Sequence, residues 1–226
     1  MRREIALLTL AACLGVIGLS DYGISHATPS SAVETVLEVI AQTSSSTLTK
    51  PWYNCTTLER WNPGKQNWCQ KVEKLKNIRY QVPYFATFQL ENGIYEHPGK
   101  QLRVALVDQS GTIAFGDLNR DGREDAATLL RVNAGGAGTF VYLAAVENAG
   151  ENPKNQTTLL LGDRVEVQSI TINRARIRVD MMTHAPNDPP CCPTQPTTRL
   201  YALNKNHLQP LTQPVLTSLL SSCQPM

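Results

Sequence analysis

The 226-residue chain lacks most of the short patterns that announce a chemistry. Its six cysteines contain no C-x-x-C pair, which removes the usual scaffold of a zinc site. There is no G-x-S-x-G elbow. The one Gly-rich run, Gly135-Gly136-Ala137-Gly138, precedes a β-prone segment and carries no P-loop Lys, so it reads as a wide hairpin turn rather than a phosphate cradle. Histidine is scarce, and only His97, His184 and His207 lie beyond the amino-terminal segment. An excess of one charge is missing as well. Twenty-one basic against 19 acidic side chains leave +2, no electrostatic reason to expect nucleic acid or an anionic membrane as partner. Lys71–Lys76 and Arg174–Arg178 interleave charge with apolar residues and read as solvated faces. No internal repeat is visible.

What is present begins with Met1-Arg2-Arg3, an apolar run from Ile5 to Leu19, and small residues at Ser25 and Ala27. This is the three-part pattern of a secretory signal, with cleavage expected after Ala27. The run is shorter than the ~20 residues that span a bilayer, so no transmembrane span is expected after cleavage. Leu10-Ala11-Ala12-Cys13 offers a competing lipoprotein reading, in which Cys13 is lipidated. Export to a periplasmic or secreted location makes Cys55, Cys69, Cys191, Cys192 and Cys223 disulfide candidates first. Cys55 and Cys69 are the pair expected to bond. A bridge closing a loop of about 15 residues contributes ~3 kcal/mol in the chain-entropy model. Cys191, Cys192 and Cys223 form an odd set with several possible pairings.

After the signal (1–27), residues 28–50 read as a stem, with Val33, Val36, Leu37 and Ile40 at helical spacing before a Ser/Thr-rich linker. Residues 51–79 form a small disulfide unit holding Trp52, Trp61 and Trp68, with Asn62-Pro63-Gly64 as a turn and one or two helical turns over Gln70–Lys76. The tryptophans read as packing around the disulfide rather than as stacking platforms. From 80 to 211 the pattern becomes short strands: Phe85–Leu90, Gln101–Asp108, Thr112–Phe115, Thr139–Val146, Thr157–Leu161 and Thr198–Leu203. Val165, Val167, Ile170 and Ile172 alternate with a slip at Gln168-Ser169, as a bulge produces. Ile177, Val179 and Met181 alternate cleanly with charged residues. A mainly β fold follows, an antiparallel sandwich or barrel-like sheet, with residues 212–226 as a tail.

The sharpest local signal is Gly116-Asp117-Leu118-Asn119-Arg120-Asp121-Gly122-Arg123-Glu124-Asp125. Oxygen-bearing side chains at alternate positions, with a Gly for the sharp turn, suit Ca²⁺. Asp117, Asn119, Asp121 and Asp125 would supply side-chain oxygens and Arg123 its carbonyl. The twelfth position is Thr128 rather than Glu, which departs from an EF-hand and points to a weak site. The run Phe115 to Asp125 resembles the calcium loop of FG-GAP repeats, present here in one copy, so a propeller is not implied. The second signal is Thr183 to Gln195, with four prolines and adjacent cysteines. It suggests a structural staple, a vicinal disulfide, or a thiol–imidazole site of His184 with Cys191 or Cys192.

Residues 90–208 resemble a group of uncharacterised exported bacterial proteins through GDLNRDGREDAATLL, GTFVYLAAV, LLGDRVEVQSITI and VDMMTHAPNDPPCCPTQ. The Cys-Cys-Pro element is loosely similar to one in the LppP/LprE lipoproteins. That resemblance implies an envelope or secreted location and carries no activity. The reading is therefore a non-enzymatic exported module with one Ca²⁺ loop and an unknown protein or glycan ligand. The alternative is an extracytoplasmic enzyme or thiol-dependent protein built on His184, Cys191 and Cys192. Mass spectrometry of the exported chain is expected to find Thr28 at its amino terminus; a diacylglyceryl-modified Cys13 would reverse that assignment.

Overall fold

The computed structural model describes residues 52–136 and 138–211, which belong to one compact unit. The signal, the stem, the cleavage point after Ala27, Cys13, Cys223 and the tail from residue 212 lie outside the described residues. Helix α1 (Pro63–Leu75) is followed by twelve strands: β1 (Arg79–Gln81), β2 (Thr87–Gln89), β3 (Ile94–His97), β4 (Leu102–Leu106), β5 (Ile113–Gly116) and β6 (Asp125–Ala134). Then come β7 (Thr139–Glu147), β8 (Lys154–Asp163), β9 (Glu166–Asn173), β10 (Arg176–Thr183), β11 (Gln195–Asn204) and β12 (His207–Leu211).

All pairings are antiparallel. A six-stranded sheet runs β3-β4-β6-β7-β8, with β5 also paired to β6, and a four-stranded sheet runs β12-β11-β10-β9. The central strands are covered on both faces. Leu130 and Val132 of β6, with Tyr142, Ala144 and Val146 of β7, face α1 and the β1–β2 hairpin. Ala127, Leu129, Val141, Leu143 and Ala145 face Ile170, Ile177, Val179, Met181 and Tyr201 of the smaller sheet. The fold is a β-sandwich whose larger sheet carries a helical cover on its outer face.

Strand β6 escapes a search for alternation because its first six residues are all buried, the mark of a strand covered on both faces. The helix also starts earlier than its apolar spacing suggests. Asn62 is an N-cap whose Oδ1 accepts from the Lys65 amide at 2.8 Å, and Pro63 occupies the first turn, where its missing N–H costs nothing. The Asn-Pro-Gly signal is thus the helix start and not a free turn.

Cys55 and Cys69 are disulfide-bonded, tying the incoming chain to α1. The segment shares its core with the sheet. Trp68 is buried at 4 % exposure with its ring edge-on to Phe115 of β5, centroids 4.9 Å apart, while Trp52 and Trp61 are partly buried against the same cluster. Lys71, expected on a solvated face, is only 5 % exposed: its ammonium lies over the Phe115 ring and pairs with Glu124. A buried cation is tolerated where a carboxylate and an aromatic face replace water.

The alternation slip in β9 is a bulge. Ser169 opposes Asp180 and Val167 opposes Met181, leaving Gln168 unpaired. Gly111 sits against it at φ +83°, its carbonyl accepting from the Ile170 amide at 2.7 Å, and a Cβ there would lie 2.5 Å from the Gln168 oxygen. Among the described residues, no helix is long and apolar enough to cross a membrane.

Trp68→Ala is expected to cost about 3–5 kcal/mol in urea denaturation, with helix and sheet signals lost in a single transition. A separate early transition of residues 52–75 would show that the segment folds on its own.

Candidate functional site

The acidic loop connects β5 to β6 and is closed by hydrogen bonds from its own backbone. Asp117 accepts from the amides of Arg120 (2.6 Å) and Gly122 (3.0 Å). Asn119 Oδ1 accepts from the Asp121 amide, and Asp121 Oδ1 from the Arg123 amide at 2.8 Å. Arg120 and Gly122 take left-handed backbone, φ +66° and +81°, which lets the chain double back. Asp125 differs from the others in being fully buried, at the first position of β6. Its carboxylate takes the amides of Leu118 (2.9 Å) and Asn148 (3.0 Å), tying this loop to the β7–β8 turn.

The electrostatics of the loop are uneven. Burial pushes the Asp125 carboxyl above its ordinary value, and the like charge of Asp121 adds to the push against the amides that hold it down. Asp121 is held below its ordinary value, chiefly by the Arg123 amide, with help from the Arg123 guanidinium at 3.3 Å. Among the described residues no three His, Cys, Asp or Glu side chains converge on one point. Beside the loop opens a cleft of about 420 Å³, lined by Gly116, Asp117, Arg120, Ile172, Arg174 and their neighbours.

The Thr183–Gln195 loop leaves the end of the smaller sheet. Cys191 and Cys192 are bonded to each other and exposed. Asp188 organises the loop, accepting from the amides of Ala185 (2.8 Å) and Thr194 (2.7 Å) and from the Thr194 hydroxyl. The histidines do not meet. His184 follows Thr183, which pairs with Gln195 at the start of β11, whereas His207 pairs with Asn204 at its other end. Ten residues of strand put about 30 Å between those ends. His97 caps the short turn Pro98–Lys100 in the larger sheet. On the outer face of the smaller sheet, Arg178 holds the Asp180 carboxyl at about 2 with help from Thr198 and Ser169, a surface network on neighbouring strands.

A third feature has no mark in the sequence patterns. The β1–β2 turn displays Tyr84, 89 % exposed and at φ +67°, the one aromatic among the described non-glycine residues with positive φ. For a bulky side chain that conformation costs about 1–2 kcal/mol. Phe85 follows it, with its ring 6.3 Å from Phe140. The turn is fixed by the Tyr142 hydroxyl, which donates to the Pro83 carbonyl at 3.2 Å.

Compared with protein-family models, with curated proteins and with solved structures, the chain matches none.

The Asp188 carboxyl is held below its ordinary value, first by the Ala185 amide and then by Thr194. A lowered carboxyl stabilises the loop fully above the ordinary carboxylate range and loses that effect as pH falls through the lowered value. Asp188→Ala is therefore expected to speed phosphine reduction of Cys191–Cys192 several-fold at neutral pH. The wild-type rate should approach the variant's as the medium is acidified. Equal rates at neutral pH would mean that Asp188 does not order the loop.

Proposed function

We propose that the chain is an exported, non-enzymatic binding or interaction module in which the Asp117–Asp125 loop is braced by Ca²⁺. The observation that supports the brace is the burial of Asp125. Its carboxylate opens the central strand, its bonding partners are neutral backbone amides, and the neighbouring charge acting on it is the like charge of Asp121. A buried carboxylate in that position gains from a cation.

The donor types suit a hard dication, although no three of the loop's carboxylates converge on one point in the structure. Asp117, Asn119, Asp121 and Asp125 offer side-chain oxygens and Arg123 a carbonyl; each carboxylate oxygen that accepts one amide keeps a second lone pair. Bound there, the ion would add positive charge to a stretch whose ion pairs include Arg123 with Asp121 and Lys71 with Glu124. Its effect would reach both the β5–β6 connection and, through Asn148, the β7–β8 turn. The loop's likeness to FG-GAP calcium loops and the amino-terminal signal pattern support the same reading of an extracytoplasmic module.

Thermal unfolding in excess calcium and in chelator tests the brace. Ligand at about 100 times its Kd stabilises by ~2.7 kcal/mol, expected as a Tm rise of roughly 5–10 °C that Asp121→Ala abolishes. No shift at millimolar calcium would leave the loop as a polar turn closed by its own amides.

A further inference from the structure

We propose that the surface formed by Tyr84, Phe85 and Phe140 beside the Asp163–Arg164 pair binds a saccharide, an assignment that rests on reading the chain as a binding module. Folding alone does not account for Tyr84. Its ring is almost wholly in water and its backbone sits in a conformation that bulky residues avoid. Such an outlier, held in place by surrounding bonds, is the kind that points to use. The Phe85 amide donates to the Val82 carbonyl at 3.1 Å, and the Tyr142 hydroxyl anchors Pro83, so the turn is set from both sides.

The polar half of the surface adjoins the rings. A Cβ on Gly138 would lie 3.3 Å from the Phe140 ring and 3.4 Å from Asp163 Oδ1, so ring and carboxylate border one space that glycine leaves open. The Thr139 amide donates to that same oxygen at 2.8 Å, and the Arg164 amide donates to the Thr139 carbonyl at 2.7 Å. Arg164 gives Nε and Nη2 to Asp163 Oδ2, at 3.1 and 2.6 Å. A guanidinium has five N–H groups, so others remain to donate elsewhere. Both side chains are about one-third exposed.

This pairing matches a pyranose. The sugar presents a flat C–H face, which stacks on an exposed ring, and an edge of neighbouring hydroxyls, which need an acceptor and a donor side by side. An anion is a poorer match, because the carboxylate cancels the guanidinium. A folded protein partner needs about 800 Å² on each side. Of the four exposed large apolar side chains described, only Tyr84 and Phe85 lie here; Leu58 precedes the helix and Ile94 opens β3. The surface is also independent of the acidic loop, since β6 carries the chain about 30 Å from Asp125 to the Gly-rich turn.

The test is a titration of the purified protein with hexasaccharides of β-1,4-linked N-acetylglucosamine, β-1,4-linked glucose and α-1,4-linked glucose. It is run in calcium and in chelator, reading amide shifts. At least one sugar is expected to saturate with a Kd of about 1 mM and to shift the amides of residues 82–86, 139–140 and 163–164. Tyr84→Ala and Phe85→Ala should each weaken it at least about tenfold without lowering Tm, and Arg164→Ala should weaken it while leaving the rings in place. The assignment is overturned if no sugar saturates, if binding is unchanged in both ring variants, or if the shifts map elsewhere. It is overturned too if the wild type instead binds neutral phosphatidylcholine vesicles through Tyr84. Failure of every sugar with the calcium-dependent Tm rise intact removes this assignment alone. Sugar binding with no calcium effect removes only the brace.

Discussion

The structure depends on one requirement: strands β6 and β7 present apolar side chains to both sides and must be covered twice. Ala126, Leu130 and Val132 point one way from β6, and Ala127 and Leu129 point the other. A single sheet in water leaves one of those sets exposed. The chain meets the requirement with two unlike covers, a helix and hairpin from before the strand and a four-stranded sheet from after it. Each cover has a specific fastening. On one side Trp68 meets Phe115 and Lys71 meets Glu124; on the other, Gly111 receives the bulged strand at Gln168.

Once β6 is held on both faces, its two ends are fixed in space, and the candidate chemistry sits at those ends. Asp125 begins the strand and draws the acidic loop and the Asn148 turn onto one buried carboxylate. The Gly-rich turn ends it, beside Phe140 and the Asp163–Arg164 pair. The two sites therefore share a rigid strand while lying too far apart for direct electrostatic influence at physiological salt, where the Debye length is ≈ 8 Å.

Features carried by local alternation or by turn chemistry were legible in the sequence. Strand β10 shows its buried Ile177, Val179 and Met181 by alternation, and the missed beat at Gln168 is the observed bulge. The bonded pair Cys55–Cys69 belongs to the same class of local signal. What depends on tertiary partners was hidden. Strand β6 has no polar face to mark it, because its second cover lies some 40 residues further on. Lys71 is buried only because Glu124, 53 residues away, receives it. Tyr84 precedes the strand expected at Phe85–Leu90, and nothing in the sequence marks its left-handed backbone, while the oxygens of the acidic loop follow a metal-loop spacing that its own amides can also satisfy.

The two disulfides among the described residues are both local in sequence. Cys55 and Cys69 are 14 residues apart, and Cys191 and Cys192 are neighbours, so neither bond joins distant parts of the chain. If the chain is exported as proposed, each ring can close while the remainder of the polypeptide is still threading out of the translocation pore. The cysteine-bearing segments emerge more than a hundred residues apart, so the first pair can be consumed before the second is presented to an oxidant. On the proposed export route these four thiols would be sorted by time, and their correct oxidation would ask little of a disulfide isomerase.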